Sequence, residues 1–143
     1  MTQEYKNLLL KDLCCRLPYG VKVQFWNHKE NKEIVDILYN IDADGYCNTY
    51  EFDSLLMLED VKPYLFPMSS ITEEQEKELK NMYYSFNGLF HYTERIFDKI
   101  PFGKMKYFPY QIEEFFNKNH IDYRGLIDKG LAIDATNKNI YRL

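Results

Sequence analysis

Four side-chain types that can do chemistry stand within five residues at His120-Ile121-Asp122-Tyr123-Arg124: an imidazole, a carboxylate, a phenol and a guanidinium. Exposed near a helix start, such a run would bind an anion or a partner peptide, because charged donors and amides converge there. The competing reading gives Asp122 a purely local task, capping a short helix and holding an ion pair. The other histidines are dispersed: His28 sits in a polar turn and His91 in an aromatic segment, with no His-x-x-x-His pair. The chain has no Gly-x-Ser-x-Gly elbow, and glycines 20, 45, 88, 103, 125 and 130 are scattered as turn formers rather than gathered into a phosphate loop. Cys14, Cys15 and Cys47 form an odd set without zinc spacing, which suits reduced, buried thiols. With 22 carboxylates some pair will be close by chance. No catalytic constellation or cofactor site follows, and the reading leans away from an enzyme.

The stretch Asn40-Ile41-Asp42-Ala43-Asp44-Gly45-Tyr46-Cys47-Asn48-Thr49-Tyr50-Glu51 has the spacing of a metal loop and resembles the twelve-residue calcium loop of EF-hand proteins. The resemblance implies oxygen ligands from Asn40, Asp42, Asp44, the Tyr46 carbonyl, Asn48 through water and a bidentate Glu51, with Gly45 at the sharp turn. Three departures stand against it. Asn40 replaces the leading aspartate, Cys47 fills the β-branched position, and Ile34 to Tyr39 reads as a strand instead of an entering helix. An Asp-Ala-Asp-Gly hairpin turn accounts for the same residues and is preferred, with a calcium module as the alternative.

Between Arg95 and Lys106, the bases Arg95, Lys99, Lys104 and Lys106 interleave with Phe97, Phe102 and Tyr107. That composition would track a single nucleic-acid strand by charge and stacking, although a solvated rim around buried rings explains it as well. Overall charge is 18 − 22 = −4, so a duplex-DNA binder, which needs a basic footprint, is not expected. Aromatics make up 17% of the 143 residues, with 13 Tyr and 10 Phe, and they crowd between Tyr83 and Tyr110. Most such rings fill a core, but Tyr is also a favoured anchor at interfaces.

These residues need elements to position them. Thr2 caps a helix over 2–17 with Tyr5, Leu9, Leu13 and Leu17 as its apolar stripe, and Pro18 ends it. Val21, Val23 and Phe25 alternate with Lys22, Gln24 and Trp26 as a strand, Asn27–Lys32 turns, and Ile34–Tyr39 and Tyr46–Tyr50 supply two more strands of a small antiparallel sheet. Phe52–Leu58 reads equally as short helix or loop. Pro63 and Pro67 force an extended path through 61–68. Thr72 and Gln75 form a capping box for a helix with Leu79, Met82 and Tyr83 inward. Further short helices are expected near Thr93–Lys99, after Pro109 with Ile112, Phe115 and Phe116 inward, and from Asp122 to Gly130, before a final edge strand at Ile140–Leu143.

Three stretches, Leu17-Pro18-Tyr19-Gly20-Val21, Lys62 to Gln75 and His120 to Ala132, together resemble a family of small uncharacterised proteins of gut bacteria and their prophages and mobile elements. The resemblance implies an accessory protein that acts by binding, and it brings no activity, cofactor or catalytic residue.

The sequence therefore predicts one α+β domain over 1–143, with a small antiparallel sheet at about 21–50 packed against an N-terminal helix and later helices. Its expected function is non-enzymatic binding of a protein partner through an aromatic-rich surface, with His120, Asp122, Tyr123, Arg124, Tyr64 and Phe66 as contact residues. A homo-oligomer fits the same composition. The N-terminus opens polar and no apolar run approaches the roughly 20 residues that span a bilayer, so the expected location is the cytoplasm, away from membranes.

Overall fold

The first helix, α1 (Gln3–Arg16), starts where Thr2 places its hydroxyl to accept from the Tyr5 amide at 3.2 Å. Glu4 in the first turn and Arg16 in the last suit the helix dipole. Leu9 and Leu13 are fully buried, as the apolar stripe requires, and Asp12 and Arg16 share that buried face. The computed structural model describes residues 1–52, 55–86 and 110–141, and in 83–86 the backbone alone.

After a 3₁₀ turn at Leu17–Tyr19, Gly20 takes φ +69, a left-handed conformation that glycine adopts without a Cβ penalty. Strand β1 (Lys22–Asn27) then pairs antiparallel with β2 (Lys32–Ile41), and β2 with β3 (Tyr46–Thr49) across a bulge between Leu38 and Asn40. Val23, Phe25, Leu38 and Cys47 face inward with Val21. These are the strands the alternating pattern predicted.

The sheet is larger than the 21–50 meander. Among the described residues it has seven strands in the order β4-β3-β2-β1-β5-β6, with β7 also paired to β5. Strand β4 (Leu56–Met57) extends the β3 edge and is followed by a 3₁₀ turn at Leu58–Asp60, so the ambiguous stretch after Phe52 supplies a strand and a turn. The proline-bounded segment is strand β5 (Lys62–Pro67). It runs antiparallel to β1 and parallel to β6 (Ile121–Asp122) and β7 (Ile133–Asp134), making the sheet mixed.

Helix α2 (Glu73–Phe86) carries the expected capping box: the Gln75 amide donates to the Thr72 hydroxyl at 3.1 Å, and the Thr72 amide donates to Gln75 Oε1 at 3.0 Å. Helix α3 (Tyr110–Lys118) buries Ile112, Phe115 and Phe116. Two further expectations are corrected. Residues 123–132 are turns, closed around Gly130 by bonds from the Leu131 amide to the Leu126 carbonyl and from the Gly130 amide to that of Ile127. Ile140 and Tyr141 form no strand, because the Tyr141 side chain is drawn into the molecule instead. The helix expected near 93–99 lies outside the described residues.

The described residues form two apolar clusters. One joins α1 to the sheet through Leu9, Leu13, Val23, Leu38 and Leu65, and the other joins α2, α3 and β6 through Leu79, Ile112, Phe116 and Ile121. Among the described residues no helix is long and apolar enough to cross a membrane.

Candidate functional site

The run at 120–124 is placed largely inside the protein. Ile121, Asp122 and Tyr123 are buried, Arg124 is nearly so, and His120, half-buried, borders a cleft. The expectation of an exposed polar run fails for a physical reason: α1 delivers the counter-charges. Asp12 accepts from Arg16 Nε at 2.8 Å and from Arg124 Nη1 at 2.9 Å, and Arg16 Nη2 also donates to the Ile121 carbonyl at 2.7 Å. The Tyr123 ring lies 4.4 Å from the Arg124 guanidinium and 5.6 Å from that of Arg16. This network spans the junction between the two apolar clusters. Asp122 does act as a cap, but of a turn, accepting from the Leu126 and Ile127 amides at 2.8 and 2.9 Å. Burial outweighs those amides and holds its carboxyl above the ordinary aspartate range. Asp12 and Arg16 are absent from the sequence-derived set, although an Asp and an Arg four apart, in phase with Leu9 and Leu13, are a readable signal for a buried pair.

Tyr64 is buried, and Phe66 is half-buried on a cleft wall. The β1–β5 register sets Val23 opposite Pro63, so the next pair would be Lys22 and Tyr64. The Tyr141 hydroxyl stands between them, accepting from the Lys22 amide at 3.0 Å and donating to the Tyr64 carbonyl at 2.7 Å. The Tyr141 ring stacks on His120, with centroids 3.6 Å apart and planes 8° from parallel. His120 itself has φ +58, and burial, with the nearby charges of Arg16 and Lys22, lowers its pKa to about 4. It is therefore a neutral imidazole near pH 7, and its buried Nδ1 has no partner among the described residues. Beside it opens a cleft of about 450 Å³ between the start of α2, the end of α3 and residues 136–141.

The 40–51 loop is a hairpin turn between β2 and β3. Asp42 Oδ1 accepts from the Asp44 and Tyr46 amides at 2.9 and 3.0 Å, and the Tyr46 carbonyl accepts from the Asp42 amide at 2.9 Å. Asn48 pairs across the strands with Asn40, and the backbone amide of Glu51 donates to Asp36 at 2.8 Å. A strand precedes the turn where a calcium hand has a helix. Among the described residues no group of three or more His, Cys, Asp or Glu side chains is placed to hold a metal ion. Of the three thiols expected to be buried, Cys47 is, which pushes its pKa up to about 12, whereas Cys15 is half-buried and Cys14, on the outer side of α1, is exposed. The basic-aromatic segment 95–107, with Arg95, Lys99, Lys104 and Lys106, lies outside the described residues.

Among the described residues, exposed rings gather on one face of the sheet. Opposite the buried face of β1 and β2, and just past the end of β3, stand Trp26, Val35, Ile37, Tyr39 and Tyr50. Trp26 is 43% exposed, Val35 43%, Tyr39 48% and Tyr50 70%. Tyr39 and Tyr50 touch, with ring centroids 5.0 Å apart. Lys22, Gln24 and Glu33 share this face, the last two hydrogen-bonded to each other at 2.6 Å, and Lys62 of β5 stands opposite Gln24. Sequence alternation marked Trp26 as outward, but density of rings directed attention to 83–110 instead. No protein-family model, curated protein or solved structure matches the chain.

Proposed function

We propose that this is a non-enzymatic binding protein that engages a protein partner through the outward face of β1, β2 and β3. The supporting observation is the row Trp26, Val35, Tyr39 and Tyr50, 43–70% open to solvent, with Ile37 partly buried among them. From Glu33 to Tyr39 the row extends roughly 20 Å at about 3.3 Å per strand residue. Tyr and Trp anchor protein interfaces because each covers a large area with few rotatable bonds and keeps one polar atom for the rim. A nucleic-acid strand would meet few cations here: the Lys22 ammonium donates to the Ile140 carbonyl at 2.7 Å, Lys62 of β5 stands at the edge opposite Gln24, and Glu33 would repel phosphate. The resemblance to gut-bacterial and prophage proteins supports an accessory role in a bacterial cytoplasm.

The test is affinity capture from the producing cells with wild type, a Trp26→Ser/Tyr50→Ser variant and Tyr110→Ser as an exposed control away from the face. A protein retained by wild type and Tyr110→Ser and lost with Trp26→Ser/Tyr50→Ser is expected. Equal capture by all three would overturn the assignment.

A further inference from the structure

The cleft beside His120 has a chemistry unlike that of the sheet face. Its aromatic wall is a chain of three rings, Phe66 to Tyr141 at 6.0 Å and Tyr141 to His120 at 3.6 Å. Around that wall stand Gln75, Asn119 and Asn137. Their hydrogen-bonding capacity is only partly used. Gln75 gives its Oε1 to the capping box and keeps its amide donors; Asn119 donates through Nδ2 to the Phe115 carbonyl at 2.9 Å and keeps Oδ1. Asn137, at φ +62, has both halves of its carboxamide available, and His120 Nδ1 is buried without a partner among the described residues. Lys118 is the one charged residue lining the cleft, and it forms no ion pair among the described residues.

Each feature narrows the ligand. Among the described residues no carboxylate lines the cleft, so they offer no counter-ion to a cation and no ionised acceptor to the vicinal hydroxyls of a sugar. Asn137 presents a donor beside an acceptor, the complement of a base edge, while Gln75 adds donors and Asn119 an acceptor. Rings provide a stacking surface for a planar heterocycle. A space of about 450 Å³ falls within the range of small-ligand sites. We infer that this cleft binds a nucleobase, carried by a nucleoside, a nucleotide or the end of a single strand, with Gln75, Asn119 and Asn137 reading its edge. Lys118 would meet a phosphate where one is present.

Calorimetric titration of the full chain with adenosine, guanosine, cytidine and uridine, their 5′-monophosphates, a five-nucleotide single strand of the preferred base, and ribose as control tests this. Saturable binding of at least one nucleoside and none of ribose is expected. Gln75→Glu keeps the capping acceptor but loses the amide donors, and Asn137→Asp tolerates the left-handed backbone; each should weaken binding about tenfold with the thermal midpoint retained. Lys118→Ala should weaken the monophosphate and leave the nucleoside unchanged if the free nucleotide is the source, whereas tighter binding of the oligonucleotide identifies a strand end. No saturable binding of any nucleoside or nucleotide at millimolar concentration, or binding indifferent to both Gln75→Glu and Asn137→Asp, would overturn the inference. Neither result bears on the sheet face.

Discussion

A single hydroxyl, that of Tyr141, closes the gap at which the β1–β5 ladder stops. Replacing it with phenylalanine leaves the Lys22 amide and the Tyr64 carbonyl without their bridge, and Tyr141→Phe should lower stability by about 1–3 kcal/mol in urea titrations. His120, stacked on the same ring, makes stability depend on pH. Its folded pKa, about 4, is below the ordinary histidine value, so its contribution is complete above about pH 6.5 and fades as acid protonates the unfolded chain first. Unfolding free energy should fall by up to about 1.4 kcal/mol per pH unit on descending from about pH 6 to 5, and His120→Gln should flatten that slope. At this scale the sequence was read unevenly. The chemistry of residues 120–124 is plain in the sequence, but Asp12 and Arg16, more than a hundred positions away, hold Arg124 and the Ile121 carbonyl inward. That pairing is a tertiary fact with no local signature at 120–124.

Elements with a full period were legible and short ones were not. Helix α1, strands β1 to β3 and the α2 start follow from Thr2, from the alternation through Phe25 and from the Thr72–Gln75 box, each visible within a few residues. Thr72→Ala removes one half of that box and should destabilise the protein by about 1 kcal/mol, seen as a lower thermal midpoint, while Thr72→Ser should restore it. Strand β5 was hidden because prolines at 63 and 67 argue against a ladder. They are tolerated because β5 changes partners along its length: Lys62 and Pro63 face β1, Tyr64 and Leu65 pair with β7, and Phe66 and Pro67 with β6. Strands β6 and β7 have two residues each, too few for any periodic signal, and exist only through β5.

Over the whole molecule the α+β class was readable, since alternating strands and capped helices leave little else to build. The position of the exposed rings was not, because composition counts aromatics without saying which face of a sheet is covered. The described structure puts Trp26, Tyr39 and Tyr50 on an open sheet face, while Phe115, Phe116 and Tyr123 fill the second apolar cluster. Contact through that face is the central claim, and a photo-crosslinking residue at Val35, in the middle of the row, tests it most directly. In the producing cells, irradiation should yield a defined heavier adduct from position 35 and none from the same residue at Lys77, exposed on α2. No adduct from position 35, or the same adducts from both positions, would contradict it.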